Sequence, residues 1–351
     1  MGHHGLVRLL VLGGTWFVGR HVVAEAVRRG WDVTTFSRGL TGSLPDGAAA
    51  IVGDRERRQD LERLAAGREW DAVVDVSGSV PRLVRDSAAI LSGVTGRYAF
   101  VSTISAYRDW PHENVTEDSP LWKGDPDEDP GVRDWDPDAY GPLKVGCELA
   151  VASAFDDASR LILRPHVVLG PYEYVGRLAW WLTRMRRGGV VLAPAPDRAI
   201  QPIDGRDFAT FALDLVERGT SGTYNVAGLP GQTTYGDLLR ACADVVADAA
   251  EQPARLEWVD EDWLVERGVV QWTELPLWRN AKAPWGMDVR KAVAAGLSCR
   301  PIRTTVADTW AWLHEGGRPV PHERFAEHGM DPAKEAELLR DWRSLSTKAS
   351  S

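Results

Sequence analysis

A strand, a glycine turn and a helix follow one another at the start of this 351-residue chain. Residues 6–12 form a near-continuous apolar run, which is typical of a strand buried on both faces. Glycines in the next turn allow a tight bend and let backbone N–H groups approach a pyrophosphate, which the positive end of a following helix also favours. An ordinary strand-to-helix turn is the alternative, but the helical pattern of residues 18–29 favours a dinucleotide-binding loop. The loop comprises Gly13, Gly14, Thr15, Trp16, Phe17, Val18 and Gly19, with Trp16 where most such loops carry a glycine.

Similar apolar runs repeat along the first part of the chain. They lie at residues 33–36, 50–52, 72–74 and 98–101, separated by helix-compatible stretches such as 61–66 and 83–91. Strands that alternate with helices at this interval predict an α/β fold with a Rossmann-type, doubly wound parallel sheet. Ligands of such sheets bind beyond the carboxyl ends of the strands. The residues predicted at these ends are Ser37, Arg38, Asp54, Ser77, Gly78 and Thr103.

A Tyr-x-x-x-Lys pair, Tyr140 and Lys144, lies downstream of this pattern. Side chains four residues apart share one face of a helix, so the ammonium of Lys144 can favour the phenolate of Tyr140. A nearby positive charge lowers the pKa of a phenol toward working pH, which suits a proton-transfer residue. Such pairs also occur on helix surfaces without any catalytic role, but the preceding sheet pattern favours catalysis. Pro142 predicts that Tyr140 lies at the start of its helix, since proline is tolerated only in the first turn, with Asp136 or Asp138 as the cap.

Together these motifs resemble the extended short-chain dehydrogenase/reductases, the NAD-dependent epimerase/dehydratase group. The resemblance covers about residues 6–230. The form of the glycine loop and the segment 272–278 are also similar to those of a reductase-like bacterial subgroup. The family resemblance implies a catalytic set of Thr103, Tyr140 and Lys144.

The resemblance also implies roles for residues around the cofactor. Asp54 matches the position that contacts the adenine amino group, and Glu148 matches an acidic residue that often follows the lysine. Residues 163–171 resemble the strand and turn that close over the nicotinamide, which makes Pro165 and Val167 candidate cofactor contacts.

The choice between NAD and NADP depends on the residues after the second strand. Members that prefer NAD usually place an aspartate there, which accepts hydrogen bonds from the ribose and repels a 2′-phosphate. The equivalent position holds Ser37, Arg38 follows it, and Arg20 and Arg55 are expected nearby. These residues predict a phosphate-accepting pocket and NADP, with NAD as the alternative if Arg38 lies over the adenine or in solvent.

Composition, with 44% apolar and 26% charged residues, is that of a globular protein. The absence of a long apolar run or a signal peptide predicts a cytoplasmic protein without membrane contact. Three cysteines, Cys147, Cys242 and Cys299, lack metal-ligand spacing, which predicts no metal site. A net charge of −9 disfavours nucleic acid as a partner. The expected partner is a small-molecule substrate, and the resemblance implies a homodimer.

The chain is expected to form two domains and a tail. Residues 1–170 and about 198–228 are predicted to bind the dinucleotide, and residues 171–197 and 229–322 to form the substrate domain. Residues 323–351 are predicted to form a C-terminal helical tail with Leu338 and Leu339 facing inward. Many of the sixteen tryptophans fall in the substrate domain, which predicts an aromatic core and a cleft for a partly apolar substrate.

Two charged segments have two interpretations each. The basic residues at 184–187 end a predicted helix, where cations complement the dipole; an anion-binding role is the alternative. The acidic stretch that begins at residues 124–130 and continues to Asp138 has the composition of a solvated loop. A lid over the substrate, within residues 108–138, is the alternative.

The sequence predicts an NADP(H)-dependent oxidoreductase that reduces or oxidises a carbonyl, imine or secondary alcohol of a small metabolite. Tyr140 would transfer the proton, Lys144 would orient the ribose, and Thr103 would hydrogen-bond the reacting oxygen. A nucleotide-sugar epimerase or dehydratase that retains its cofactor is one alternative. A catalytically silent cofactor-binding sensor or scaffold is another, which the intact catalytic set disfavours.

Overall fold

The computed structural model of the protein describes residues 6–131, 136–317 and 328–349. The described residues form two compact units. The first lies within Met1–Val168, Ile203–Ala227 and Gly286–Cys299. The second lies within Leu169–Pro202, Gly228–Trp285 and Arg300–Ser351. Each unit is therefore assembled from stretches that are separate in the sequence.

Strands and helices alternate through most of the chain. The strands are β1 (Arg8–Leu12), β2 (Asp32–Ser37), β3 (Ala49–Val52), β4 (Ala72–Asp75), β5 (Tyr98–Val101), β6 (Arg160–Pro165), β7 (Val168–Leu169), β8 (Gly189–Pro194), β9 (Ile203–Asp204), β10 (Gly222–Val226), β11 (Ala254–Val259), β12 (Gln271–Trp272) and β13 (Leu275–Pro276). The α-helices are α1 (Phe17–Arg28), α2 (Arg58–Ala65), α3 (Pro81–Leu91), α4 (Pro137–Ala152), α5 (Arg177–Arg187), α6 (Gly205–Glu217), α7 (Tyr235–Val245), α8 (Glu261–Glu266), α9 (Arg290–Ala294), α10 (Ile302–His314) and α11 (Pro332–Ala349). Short 3₁₀ helices span Ile104–Ala106 and Ala247–Ala249.

A seven-stranded parallel sheet forms the centre of the first unit, in the order β10-β6-β5-β4-β1-β2-β3. Leu10 and Leu12 of β1 join a hydrophobic core that α2, α3 and α4 complete. Side chains alternate along a strand, so Leu9 and Val11 point to the opposite face. The helices α1 and α6 pack against each other in this unit. The predicted doubly wound parallel sheet is confirmed.

The second unit combines helices with two short parallel strand pairs. β8 pairs with β11 and β12 with β13, and α5, α7 and α10 contact one another. Arg184 of α5 pairs with the buried Glu335 of α11 and donates to the carbonyls of Gly188 and Val190. These contacts support the structural interpretation of the basic cluster for Arg184, which closes the end of its helix.

The predicted domain borders differ from the two units in two places. Gly286–Cys299 packs in the first unit, where Lys291 donates to the carbonyl of Thr223 at 2.7 Å. The terminal helix α11 belongs to the second unit and has Leu338 and Leu339 buried, in line with their expected inward orientation. Both differences arise from contacts between residues far apart in the sequence.

Candidate active site

The backbone conformation of the turn after β1 requires glycine. Gly13 and Gly14 have φ angles of +106° and +109°, which residues with a side chain rarely adopt. A Cβ on Gly13 would lie 2.7 Å from a methyl carbon of Val76, and one on Gly19 would lie 2.8 Å from the nitrogen of Gly14. The turn leads directly into the N-terminus of α1, a position that favours a bound phosphate.

The loop between β2 and β3 folds back on this turn. The hydroxyl groups of Thr15 and Thr41 share a hydrogen bond of 2.7 Å. Arg20 of α1 donates to the backbone carbonyl of Ser43. Trp16 is the N-cap residue of α1 and is partly exposed. The large side chain in the middle of the loop is thus only partly buried.

The ends of β2 and β3 carry the residues predicted to surround the adenosine. The hydroxyl of Ser37 accepts a hydrogen bond from the N–H of Gly39 at 3.3 Å, and Arg38 is exposed. The carboxylate of Asp54 accepts from the N–H of Glu56 at 3.0 Å. These local bonds fix the chain after β2 and after β3, and the exposed Arg38 side chain is accessible to a ligand.

Tyr140 and Lys144 share one face of α4. The helix begins at Pro137, and Asp136 caps it by accepting from the N–H of Asp138 at 2.9 Å. Tyr140 therefore lies in the first turn, as predicted, whereas Pro142 lies inside the helix beyond that turn. The predicted capping role of Asp136 is confirmed.

Gly141 brings α4 into contact with the segment that follows Thr103. A Cβ at this position would collide with the carbonyl oxygen of Ser105, so the close approach requires glycine. Thr103 caps the 3₁₀ helix Ile104–Ala106, since its Oγ1 accepts from the N–H of Ser105 at 3.2 Å. The start of α4, with Tyr140, and Thr103 therefore belong to one neighbourhood.

The ammonium of Lys144 joins the ends of two strands. It donates to the carbonyls of Gly78 and Val101, both at 2.7 Å, and lies 4.3 Å from the centre of the Phe100 ring. Burial of the side chain lowers the pKa of Lys144. Because an ammonium has three N–H donors, these two bonds leave one for a ligand or a neighbouring side chain.

A buried polar network joins α4 to the neighbouring strands. Glu148 pairs with Arg164 through bonds of 2.6 and 2.9 Å and accepts from the hydroxyl of Ser102. Arg164 donates to the hydroxyl of Tyr107 at 3.1 Å, which donates to Asn225 at 2.6 Å. Burial raises the pKa of Tyr107 to about 12, so this hydroxyl keeps its proton. The network fixes α4 against β5, β6 and β10.

The end of β6 carries the two residues predicted to contact nicotinamide. Pro165 is the last residue of the strand, and Val167 lies just beyond it. The N–H of Val167 donates to Nδ1 of His166 at 2.7 Å, and the His166 ring lies edge-on to Trp110 at 5.9 Å. A neutral His166 therefore carries its proton on Nε2.

The predicted site residues thus gather at one edge of the sheet in the first unit. Parallel strands present their carboxyl ends on the same edge. The predicted residues there are Gly13 to Gly19 after β1, Ser37 and Arg38 at and after the end of β2, Asp54 after β3, Ser77 after β4, Thr103 after β5, and Pro165 and Val167 at the end of β6. Tyr140 and Lys144 belong to the adjoining helix α4.

The family model of the NAD dependent epimerase/dehydratase family matches residues 9–227, more than half of the chain. The chain belongs to this family. The resemblance inferred from the motifs is confirmed, and the matched segment includes every predicted site residue.

Several known proteins are similar to this chain at low sequence identity. The chloroplast stem-loop binding protein of 41 kDa b of Arabidopsis thaliana is 24% identical over 67% of this chain, and the match spans 62% of that protein's length. The Bordetella bronchiseptica enzyme WbmH, solved with NAD+, has a TM-score of 0.67 at 17% identity and covers 89% of this chain and 100% of its own. UDP-glucose 4-epimerase of Thermotoga maritima, solved with UDP-glucose, has a TM-score of 0.63 at 17% identity, covering 88% and 99%. At these identities the solved structures show a shared fold.

Membrane spans and metal sites are both missing from the described residues. Among them, no helix is long and apolar enough to cross a membrane. Within the same part of the chain, no group of three or more His, Cys, Asp or Glu side chains could hold a metal ion.

Two of the three arginines from which NADP was predicted are engaged elsewhere. The guanidinium of Arg55 pairs with the buried Asp75 at 2.8 and 3.2 Å and donates to Ser87. Arg20 is held by the carbonyl of Ser43. The sequence predicts Arg55 beside a 2′-phosphate, and that prediction is wrong. The buried carboxylate of Asp75 needs a cationic partner, and Arg55 fills that role.

Asp75 and Arg164 are polar residues of this edge that the sequence analysis overlooked. Asp75 ends the otherwise apolar strand β4, and Arg164 interrupts the apolar run of β6. A charge inside an apolar strand is itself a signal, because a buried charge needs a partner. The sequence does not show which residues are the partners. The folded structure identifies them as Arg55 for Asp75 and Glu148 for Arg164.

Proposed function

We propose that the protein is a nicotinamide-dependent enzyme that acts on a secondary alcohol of a nucleotide sugar, as an epimerase or dehydratase. The observation that carries the proposal is the placement of Thr103, Tyr140 and Lys144 beside the strand ends that hold the glycine turn. Similar solved structures that are UDP-glucose 4-epimerases favour this alternative over the reduction of a carbonyl or imine.

The residues of the first unit fit a dinucleotide. The positive φ angles and close contacts of Gly13 and Gly14 leave backbone rather than side chains at the end of β1. The N-terminus of α1 adds a partial positive charge that suits a pyrophosphate. A serine at position 37 and the exposed Arg38 support acceptance of NADP as well as NAD.

The catalytic set divides the proton chemistry among three side chains. A bound nicotinamide would supply a reversible hydride acceptor. Tyr140 would take the proton from the substrate hydroxyl and return it, a role that a neighbouring ammonium supports. Lys144, held by two carbonyls, would direct its third donor to the ribose or to Tyr140. Thr103 would orient the reacting oxygen.

Side chains of the second unit suit an anionic substrate that bears a ring. The guanidinium carbons of Arg177 and Arg279 lie 5.5 and 4.7 Å from the centre of the Trp272 ring, which lies 5.9 Å from Trp285. Burial lowers the pKa of Arg279, so its charge is poorly hydrated. A phosphate that pairs with Arg279 and a base that stacks on tryptophan fit this set, while Arg177 is paired with the buried Glu173 at 3.6 Å.

Nucleic acid is not part of the proposal, although the Arabidopsis thaliana relative is named for stem-loop binding. The net charge of −9 opposes a phosphate backbone, and the match spans 62% of that relative. A small-molecule substrate therefore remains the proposed partner.

The experiment is to purify the protein, identify any cofactor released on denaturation, and incubate it with UDP-glucose and related sugars. We expect retained NAD(P) and a product that is an epimer or dehydrated sugar, with no net consumption of nicotinamide. Cofactor-free protein that consumes one NADPH per molecule of a reduced carbonyl product would contradict the proposal and restore the reductase prediction.

A further inference from the structure

An ion pair between Arg55 and Asp75 lies at the carboxyl edge of the sheet, and the proposed chemistry gives it no role. Asp75 ends β4 and its side chain is fully buried, while the side chain of Arg55, after β3, is 13% exposed. The guanidinium and carboxylate meet through two bonds of 2.8 and 3.2 Å. Ion pairs of this kind are bidentate and fix the geometry of both partners.

The hydrogen-bonding capacity of the pair is fully used. Arg55 also donates to Ser87 at 2.9 and 3.2 Å and to Ser77 at 3.3 Å, which accounts for all five guanidinium N–H groups. Asp75 also accepts from the Tyr98 hydroxyl at 2.8 Å and from the N–H of Ser77 at 3.0 Å. A saturated buried network of this kind has one well-defined arrangement.

The pair connects two strand ends that would hold different parts of a dinucleotide. Arg55 belongs to the turn after β3, while Asp75 holds Ser77 and so the segment that ends at Gly78. The carbonyl of Gly78 accepts from Lys144 at 2.7 Å. Polar contacts, joined by the backbone between Ser77 and Gly78, therefore connect the predicted adenine side to the predicted catalytic lysine.

Close packing makes the segment after β4 sensitive to the pair. A Cβ on Gly78 would lie 2.5 Å from the Phe100 ring, 2.8 Å from Val84 and 3.2 Å from an oxygen of Asp75. The backbone at Gly78 therefore rests directly on this carboxylate and its apolar surroundings. A shift of Asp75 would move the carbonyl that binds Lys144.

We propose that Arg55 and Asp75 are positioning residues for dinucleotide binding. The pair holds the turn after β3 and the segment after β4 at the separation that the two ends of the cofactor require. This role rests on the proposed function, because it presumes a dinucleotide at this edge.

The test is a double variant, Arg55→Met with Asp75→Leu, which leaves neither charge buried alone. The matched control is Arg184→Met with Glu335→Leu, which removes a buried pair of the second unit whose side chains are 6% and 8% exposed. NADH affinity is measured by nicotinamide fluorescence, and hydrogen–deuterium exchange is followed in peptides that cover residues 53–57 and 75–78. We expect NADH affinity to fall by about tenfold or more and exchange to rise in those peptides, with the control unchanged in both.

Ser87→Ala provides a milder second variant, because it removes a partner of Arg55 and keeps the ion pair. It should weaken NADH binding in the same direction by a smaller factor, and it decides the matter if the double variant does not fold. Unchanged NADH affinity in a folded variant overturns the positioning role, whether or not exchange rises. A parent protein that binds neither NADH nor NADPH refutes the cofactor site itself, and the positioning role falls with it.

Discussion

Gly13 and Gly67 both have a positive φ angle, but their surroundings differ. Gly13 has a φ of +106° and a Cβ there would lie 2.7 Å from Val76, whereas Gly67 has a φ of +64° and nothing within 4 Å of such an atom. A left-handed backbone costs a residue with a side chain about 1–2 kcal/mol, and overpacking adds about 1–3 kcal/mol. The two positions therefore separate backbone strain from lack of space.

Gly13→Ala should lower the free energy of unfolding by about 2–5 kcal/mol, and Gly67→Ala by about 1–2 kcal/mol. Urea unfolding of both variants measures the difference. NADH binding should weaken only in Gly13→Ala, since Gly67 lies between α2 and the start of β4 and not in a segment that follows the carboxyl end of a strand. Equal losses of stability would show that Val76 yields to the added methyl group.

Arg38 is the remaining arginine on which a preference for NADP can depend. Loss of one charge-assisted hydrogen bond costs about 1.5–3 kcal/mol, so Arg38→Ala should weaken NADPH binding by about one to two orders of magnitude and NADH binding little. Arg63→Ala, on the exposed side of α2, is the control and should change neither. A parallel loss for both nucleotides would place Arg38 over the adenine ring instead.

The lowered pKa of Asp75 leads us to predict a loss of folding stability at acidic pH. Burial opposes its ionisation, but the charge and hydrogen bonds of Arg55 prevail and hold the pKa of Asp75 below its usual value of 3.8. The stability that such a carboxyl contributes is present above the unfolded pKa and is lost as pH falls through the lower folded pKa.

The parent protein should therefore lose more stability below about pH 4 than the double variant Arg55→Met with Asp75→Leu. The measurement is the free energy of unfolding of each protein at a neutral and an acidic pH. The same loss in both would assign the acid sensitivity to other carboxyl groups.

At the scale of elements, the acidic segment before α4 is exposed to solvent but also contacts two helices. Arg82 of α3 pairs with Asp129 at 2.7 Å, and Arg85 pairs with Asp127. Gly124 approaches the backbone of α4 so closely that a Cβ there would collide with it. Residues 132–135 of the predicted lid lie outside the described residues, and a lid role stays a prediction. This segment therefore contacts both α3 and α4, the helix that carries Tyr140.

The ion pairs of Arg82 and Arg85 hold the acidic segment against α3, so the segment should detach from α3 more readily when these arginines are removed. Arg82→Ala with Arg85→Ala should speed protease cleavage within residues 124–131, and high salt should do the same to the parent protein. The free energy of unfolding should change by less than about 1 kcal/mol, because the pairs are exposed. Arg58→Ala, which removes an exposed pair on α2, is the control. Unchanged cleavage would mean that the glycine contacts hold the segment without the ion pairs.

At the scale of the molecule, the first unit could be predicted from sequence and the second only in outline. Apolar runs and glycine turns are local signals, and they located β1 to β5 and the edge that carries the site. The second unit depends on distant contacts, such as the buried Trp181 and Tyr235, which both donate to the carbonyl of Pro276 at 2.8 Å. No local sequence pattern predicts these hydrogen bonds to Pro276.

The same division applies within the candidate site. The spacing of Tyr140 and Lys144 is a local signal, and so is the position of Thr103 after an apolar strand. The partners of Arg55 are not, because Asp75 and Ser87 reach it from a different strand and helix. Sequence therefore indicated which residues could do chemistry, while the structure showed which charges hold them in place.

The central claim is that Tyr140 transfers the proton at a site where nicotinamide takes the hydride. The most direct measurement is the transient absorbance of reduced nicotinamide when NAD-loaded protein is mixed with UDP-glucose, in the parent protein and in Tyr140→Phe. We predict that Tyr140→Phe binds as much NAD as the parent protein. Its bound NAD should be reduced about 10²- to 10⁴-fold more slowly. A Tyr140→Phe protein that is reduced as fast as the parent would contradict the account.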